Sequence, residues 1–120
     1  MSSRLKIIEY GSKEIILIDF SGASFQETVN LINETRNYIR SLNFNSALTL
    51  TDVTNLNYYS ELVPLLKELT LGDKPYVKAA AVVGLSGFRK VVFNAIVAFS
   101  NRIFKTFSTR EQALDWLLSR

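Results

Sequence analysis

Residues 78–107 read KAAAVVGLSGFRKVVFNAIVAFSNRIFKTF, and the reading of this stretch decides the fold. Ala79 to Val83 is apolar and small or branched, the pattern of a strand buried on both faces. Gly84-Leu85-Ser86-Gly87 interrupts it. Phe88 to about Asn101 then reads as a helix, and Arg102 to Phe107 as a more exposed strand. Strand, helix and strand in succession form the repeating unit of a parallel α/β sheet. The helix is apolar nearly all round, with only Arg89, Lys90 and Asn94 as polar relief before Phe99. A helix apolar on two faces must bury both. One face is expected to meet the sheet. The other is expected to meet a neighbouring helix, a second copy of the chain, an apolar ligand or a membrane surface. Phe88, Val92, Phe93, Ile96 and Phe99 are the candidate groove or dimer face.

Working outward, the same alternation continues. Leu5 to Tyr10 and Glu14 to Phe20 flank Gly11-Ser12, a hairpin signal because Gly supplies the positive φ that tight turns demand. The second run is the more continuously apolar and is expected to be the more central strand. Ser24-Phe25-Gln26-Glu27 is a capping box that opens a helix ending near Leu42. Phe25, Val29, Ile32 and Ile39 share its predicted core stripe. ALTLTDV, Ala47 to Val53, suits a buried parallel strand. A second helix over about Ser60 to Leu71 would bury Leu62, Leu66 and Leu69. Pro64 falls in its first turn, Gly72 is the expected C-cap, and Pro75 blocks continuation. Thr109 to Gln112 is another capping box, before a helix carrying Leu114, Trp116, Leu117 and Leu118. The order β-β-α-β-α-β-α-β-α predicts one α/β domain over residues 1–120: a mostly parallel, mixed five-stranded sheet with helices packed against it.

Composition narrows the function. The chain has 120 residues, 48% hydrophobic and 21% charged, which marks a globular domain large enough to bury a core. It has no Cys and no His, which excludes disulfides, thiolate chemistry, a Ser-His-Asp triad and most zinc sites. The net charge of +3 comes from Lys and Arg interleaved with acids, not from a cluster, so no nucleic-acid groove is expected. MSSRLKIIEY lacks the apolar run of a signal peptide. VVFNAIVAFSN falls well short of the ~20 residues of a bilayer span. The expectation is a cytoplasmic protein with no transmembrane segment and no cofactor.

In an alternating α/β sheet, ligands gather beyond the carboxyl ends of the strands. Here those ends carry Asp19, Ser21, Gly22 and Ser24, then Asp52, Thr54 and Asn55, then Gly84, Ser86 and Gly87. Ser21, Gly22, Ser24, Gly84, Ser86 and Gly87 make a candidate anion or ligand rim through amides at helix N-termini. Local capping explains the same residues, and Ser86 is read as the cap of the third helix. Asp19 and Asp52 would form a metal or acid/base pair if their strands are neighbours, although carboxylates at strand ends are commonly just solvated. Val83 to Phe88 is close to a nucleophile elbow, but Phe88 replaces the last Gly and no His activates Ser86. There is no phosphate loop and no dinucleotide fingerprint. A non-enzymatic, metal-free protein is expected. Asn55 to Glu61, NLNYYSE, is the most unusual loop. Its adjacent tyrosines either contact a partner or partly cap the core.

With that layout, the chain resembles SpoIIAA-like proteins of the STAS (sulfate transporter and anti-sigma factor antagonist) superfamily over nearly its whole length. The resemblance rests on Asp52-Val53-Thr54-Asn55-Leu56, similar to the family's Asp-Leu-Ser-x-Leu segment. It rests also on AAAVVG followed by the long helix, and on the ending NRIFKTFSTREQALDWL. It implies the SpoIIAA/STAS-like arrangement of the elements above. It also implies a phosphoacceptor Ser in an Asp-Ser-Ser-Gly motif at the helix after the third strand. That motif is absent. In the gap-free register Ser60 falls on the Asp and Glu61 on the phosphoserine, giving a permanent negative charge; a shift of one makes Ser60 the acceptor. The first functional expectation is therefore a regulatory interaction module, a homodimer, using Asp52, Thr54, Asn57, Tyr58, Tyr59, Ser60 and Glu61. Its implied partner is a regulatory kinase or anti-sigma-like protein. The alternative is a carrier or sensor of a small apolar, lipid-like ligand beside the third helix, since this branch is similar in fold to lipid-carrying domains. A minor enzyme reading uses Asp19, Asp52 and Ser86.

Overall fold

Leu5–Tyr10 (β1) and Lys13–Asp19 (β2) form the expected hairpin, closed where Tyr10 faces Lys13 and Gly11 takes a φ of 60°. The structure is a computed structural model and describes residues 2–120. After the hairpin come α1 (Phe25–Ile39), β3 (Ala47–Asp52), α2 (Leu62–Asp73) and a single 3-10 turn at Lys74–Tyr76. Then follow β4 (Val77–Val83), α3 (Phe88–Ser100), β5 (Lys105–Phe107) and α4 (Arg110–Leu118). The strands lie in the order β1-β2-β3-β4-β5, with β1 antiparallel to β2 and every other pair parallel. In a sheet laid down sequentially, right-handed crossovers put every crossover helix on one face. That face carries α1, α2 and α3. The helix after the last strand, α4, covers the other.

The two faces have separate cores. Ile16 and Ile18 of β2 pack with Leu31, Ile32 and Ile39 of α1 and with Leu62 and Leu69 of α2. Ile15 and Leu17 point the opposite way and join Leu48, Leu50, Ala81 and Val83 beneath Ala113 and Leu117 of α4. Burial on both faces is why β2 reads as a continuous apolar run instead of alternating. Small residues let α4 approach its strands closely, whereas α2 and α3 lie close to each other and stand farther from the sheet.

Several expectations shift. The buried face of α1 is Thr28, Leu31, Ile32, Thr35 and Ile39, while Phe25 is exposed and meets Tyr59 edge-on at 5.3 Å. Two threonines belong to the interior, so an apolar stripe read without them is rotated around the helix. Gly72 does not cap α2; it lies inside the helix. A Cβ there would overlap the guanidinium of Arg40, which ion-pairs with Asp73 at 3.0 Å and Glu68 at 3.1 Å. The helix stops instead at the turn containing Pro75. The last strand keeps only Lys105–Phe107 of the expected Arg102–Phe107.

Candidate functional site: an apolar cavity under the second and third helices

Because α2 and α3 stand off the sheet, the space between them is not filled. A cavity of about 150 Å³ lies there. Its floor is the face of β2, β3 and β4 that carries Thr49 and the row of Ile18, Thr51 and Val82, which lie side by side in register. Its walls are Leu62, Leu66 and Leu69 of α2 and Val92, Phe93 and Ile96 of α3. The α3 face expected on the sheet thus faces a cavity. Of the five candidate groove residues, Val92, Phe93 and Ile96 line it, while Phe88 and Phe99 lie outside at 60% and 53% exposure. The lining residues that are exposed are Asn57, Tyr58 and Tyr59, so the mouth opens at the loop after β3. Tyr58 sits edge-on to Phe88 at 5.0 Å, and Asn57 donates to the Ala23 carbonyl at 3.1 Å. Arg89, in the first turn of α3, lines the cavity too.

The opposite end, near the amino ends of β4 and β5, is polar. Asp73 is buried there and is held by Arg40. Burial pushes its carboxyl up to about 6, ahead of the opposing pull of Arg40 and Arg102. Burial likewise pushes Arg102 down to about 10, so it is still a cation at neutral pH. Arg102 donates to the Thr70 carbonyl at 3.2 Å and stacks on Phe104 at 4.4 Å. Sequence reasoning missed Asp73, Arg102 and Thr35, all of which line the cavity. None has a local motif; only the tertiary placement unites them.

The strand-end rim is a separate, internally satisfied structure. Asp19 and Asp52 end neighbouring strands in register, as the pairing of two carboxylates required. Arg110 joins them, with Nε 2.7 Å from Asp52 Oδ2 and Nη2 3.3 Å from Asp19 Oδ1. Burial raises the pKa of Asp52, but the hydrogen bond from Thr54 and the Arg110 guanidinium outweigh it and hold the carboxyl below its usual range. Burial likewise raises Asp19, and Ser21 and Arg110 outweigh it in the same way. Both are thus carboxylates paired to a cation, not groups poised to exchange a proton. Among the described residues no cluster of three or more acids is placed to hold a metal.

The remaining rim residues act locally. Ser21 donates to Asp19, the Gly22 amide donates to the Thr54 carbonyl at 2.9 Å, and Ser24 caps α1 in a complete capping box. Gly84, at a φ of 91°, lies where a Cβ would be 2.6 Å from the Thr54 nitrogen, so the turn and the β3 loop touch through backbone. Ser86 does not cap α3. The N-cap is Gly87, at a φ of 55°, and the Ser86 hydroxyl accepts from Arg89 Nη2 at 3.1 Å. Ser60 is exposed, and Glu61 precedes α2 without a side-chain capping bond. The rim therefore does not converge with the cavity except at Asn57, Tyr58, Tyr59 and Arg89.

Fold and site together define a mixed α/β domain with a mostly apolar cavity beneath its helices. No family model, no curated protein and no solved structure matches the chain.

Proposed function

We propose that the protein is a non-enzymatic carrier or sensor that holds a small apolar or amphiphilic ligand in this cavity. The carrying observation is the cavity. Interiors of this size hold few voids larger than a water molecule. This one, of about 150 Å³, opens to the surface at the loop of Asn57, Tyr58 and Tyr59. An apolar space of this volume suits one aromatic ring or a short acyl chain, not a whole phospholipid. The STAS-like resemblance fits this reading through the lipid-carrying relatives of that fold. The test is native mass spectrometry of gently purified protein, together with titration by short-chain amphiphiles. A retained small molecule or saturable binding supports the reading. Absence of both sinks it.

A second reading, the regulatory interaction module, is favoured by one observation. Phe88, Val91 and Phe99 form an exposed apolar strip on α3, and Ile103, just beyond the helix, is 92% exposed. Such a strip, beside the Tyr58–Glu61 loop, suits contact with a protein partner or a second copy. Light scattering that shows a clean monomer at high concentration would count against the homodimer. Retention of a captured partner by both Tyr59→Ala and Glu61→Ala would count against the loop.

A further inference from the structure

Among the described residues, two buried side-chain polar atoms have no hydrogen-bond partner: Thr35 Oγ1 and Arg89 Nε. Both residues line the same cavity. Buried polar atoms are nearly always paired, and an orphan costs roughly 1–3 kcal/mol. Both atoms are enclosed, and they belong to residues that line one space.

The two orphans differ in what they ask for. A threonine hydroxyl either donates or accepts, so it does not choose a ligand. Arg89 Nε only donates, and it belongs to a permanent cation. The other lining arginine, Arg102, is accounted for by Thr70, Phe104 and the neighbouring Asp73. Arg4, Arg36, Arg40 and Arg110 each reach a carboxylate, whereas no described carboxylate lies within ion-pair distance of Arg89. Its single hydrogen bond goes from Nη2 to Ser86, which steadies the guanidinium and leaves Nε without a partner. Arg89 also stands at the end of the cavity that carries the exposed Asn57, Tyr58 and Tyr59, where a polar head belongs when an apolar tail goes inward.

We infer that the ligand is an amphiphile with an anionic head, of the short-chain or aromatic carboxylic acid class, whose carboxylate accepts a charge-assisted hydrogen bond from Arg89 Nε. This rests on the carrier reading and names the chemistry of its ligand. Charged hydrogen bonds of this kind are about twice as strong as neutral ones, so the head supplies preference while the tail supplies affinity.

The test compares octanoate with octanol, which share a tail and differ in the head, by calorimetric titration near neutral pH. Wild type is expected to bind octanoate at least about tenfold more tightly than octanol. Arg89→Gln is expected to bring the two within about twofold of each other without weakening octanol. Lys90→Gln, which removes an adjacent exposed charge, is expected to keep the preference, which separates a specific bond from the general positive charge. Arg89 is half-buried with one partner, and an unchanged circular dichroism spectrum confirms that its variant folds. If the Arg89→Gln chain does not fold, Arg89→Met replaces it, since methionine keeps an apolar stem but has neither the charge nor a donor, and it is expected to lose the preference. Equal binding of both molecules by wild type overturns the anionic head and leaves the cavity reading standing. Preference that survives loss of Arg89 overturns the site. Failure of either molecule to bind overturns the carrier reading and this inference with it.

Discussion

Thr35 is the residue at which the cavity declares itself most sharply. It is 2% exposed and its hydroxyl has no partner in the protein. Replacing an unpaired buried hydroxyl by a methyl removes a desolvated polar atom and keeps the branched shape. Thr35→Val is therefore expected to raise the urea unfolding free energy by about 1 kcal/mol. Loss of stability would mean that the hydroxyl has a partner after all. Gly72 poses the opposite case. Inside an exposed helix Gly→Ala stabilises by about 1 kcal/mol. Here the new Cβ would displace the Arg40 guanidinium from Asp73. Gly72→Ala is expected to destabilise the wild type and to become stabilising in an Arg40→Ala background, a sign reversal read from the double-mutant cycle.

At the scale of elements, α4 is held to the rest by Arg110 as well as by its apolar face. Asp52 is buried, so Arg110→Ala leaves a carboxylate desolvated and short of its partner. A cost of about 2–3 kcal/mol is expected, somewhat below that for a fully buried pair because Arg110 is partly exposed. The pH dependence follows from the signs. Asp19 and Asp52 lie below their unfolded value, so their contribution is complete above that value and is lost as pH falls through the folded one. Arg110→Ala should flatten this acid limb. Asp73 runs the other way. Its folded pKa of about 6 lies above the ordinary carboxyl value of 3.8, so the stability linked to its neutral form is present below the unfolded value and is lost as pH rises through about 6. Wild type should weaken in denaturant titrations as pH rises from about 4 to about 6 and then level off, and Asp73→Asn should not. The same elements show what a sequence can disclose. Both capping boxes, the hairpin and the strand–helix alternation were legible because each is written in neighbouring residues. Asp19 and Asp52 were legible for the same reason, since each ends its strand. Arg110 was not, being 58 residues from Asp52 with no local pattern to mark it. The true face of α1 was hidden because Thr28 and Thr35 are polar in a list and interior in the fold.

At the scale of the whole molecule, the cavity is either a site or a packing fault, and the two respond oppositely to being filled. Thr51 stands on the cavity floor in β3, half-buried and in register with Ile18 and Val82. Thr51→Ile adds apolar volume and suits a strand. A packing fault, once filled, gives a more stable protein and nothing else changes. A site gives a more stable protein that has lost its ligand, the trade expected where function and stability compete for one space. Linkage supplies the readout, because a ligand at a hundred times its Kd adds about 2.7 kcal/mol to stability. In a domain of this length that is a rise in Tm of roughly 10 °C. Thr51→Ile is expected to melt higher than wild type without octanoate, and to show little further rise when octanoate is added. A filled variant that keeps the full octanoate shift would place the ligand somewhere other than this cavity. The sheet order makes the distinction meaningful. Sequential strands with no reversal offer no crevice at the strand ends of the kind that doubly wound sheets use. In this arrangement the open space lies beneath the helices, where α2 and α3 stand off the sheet.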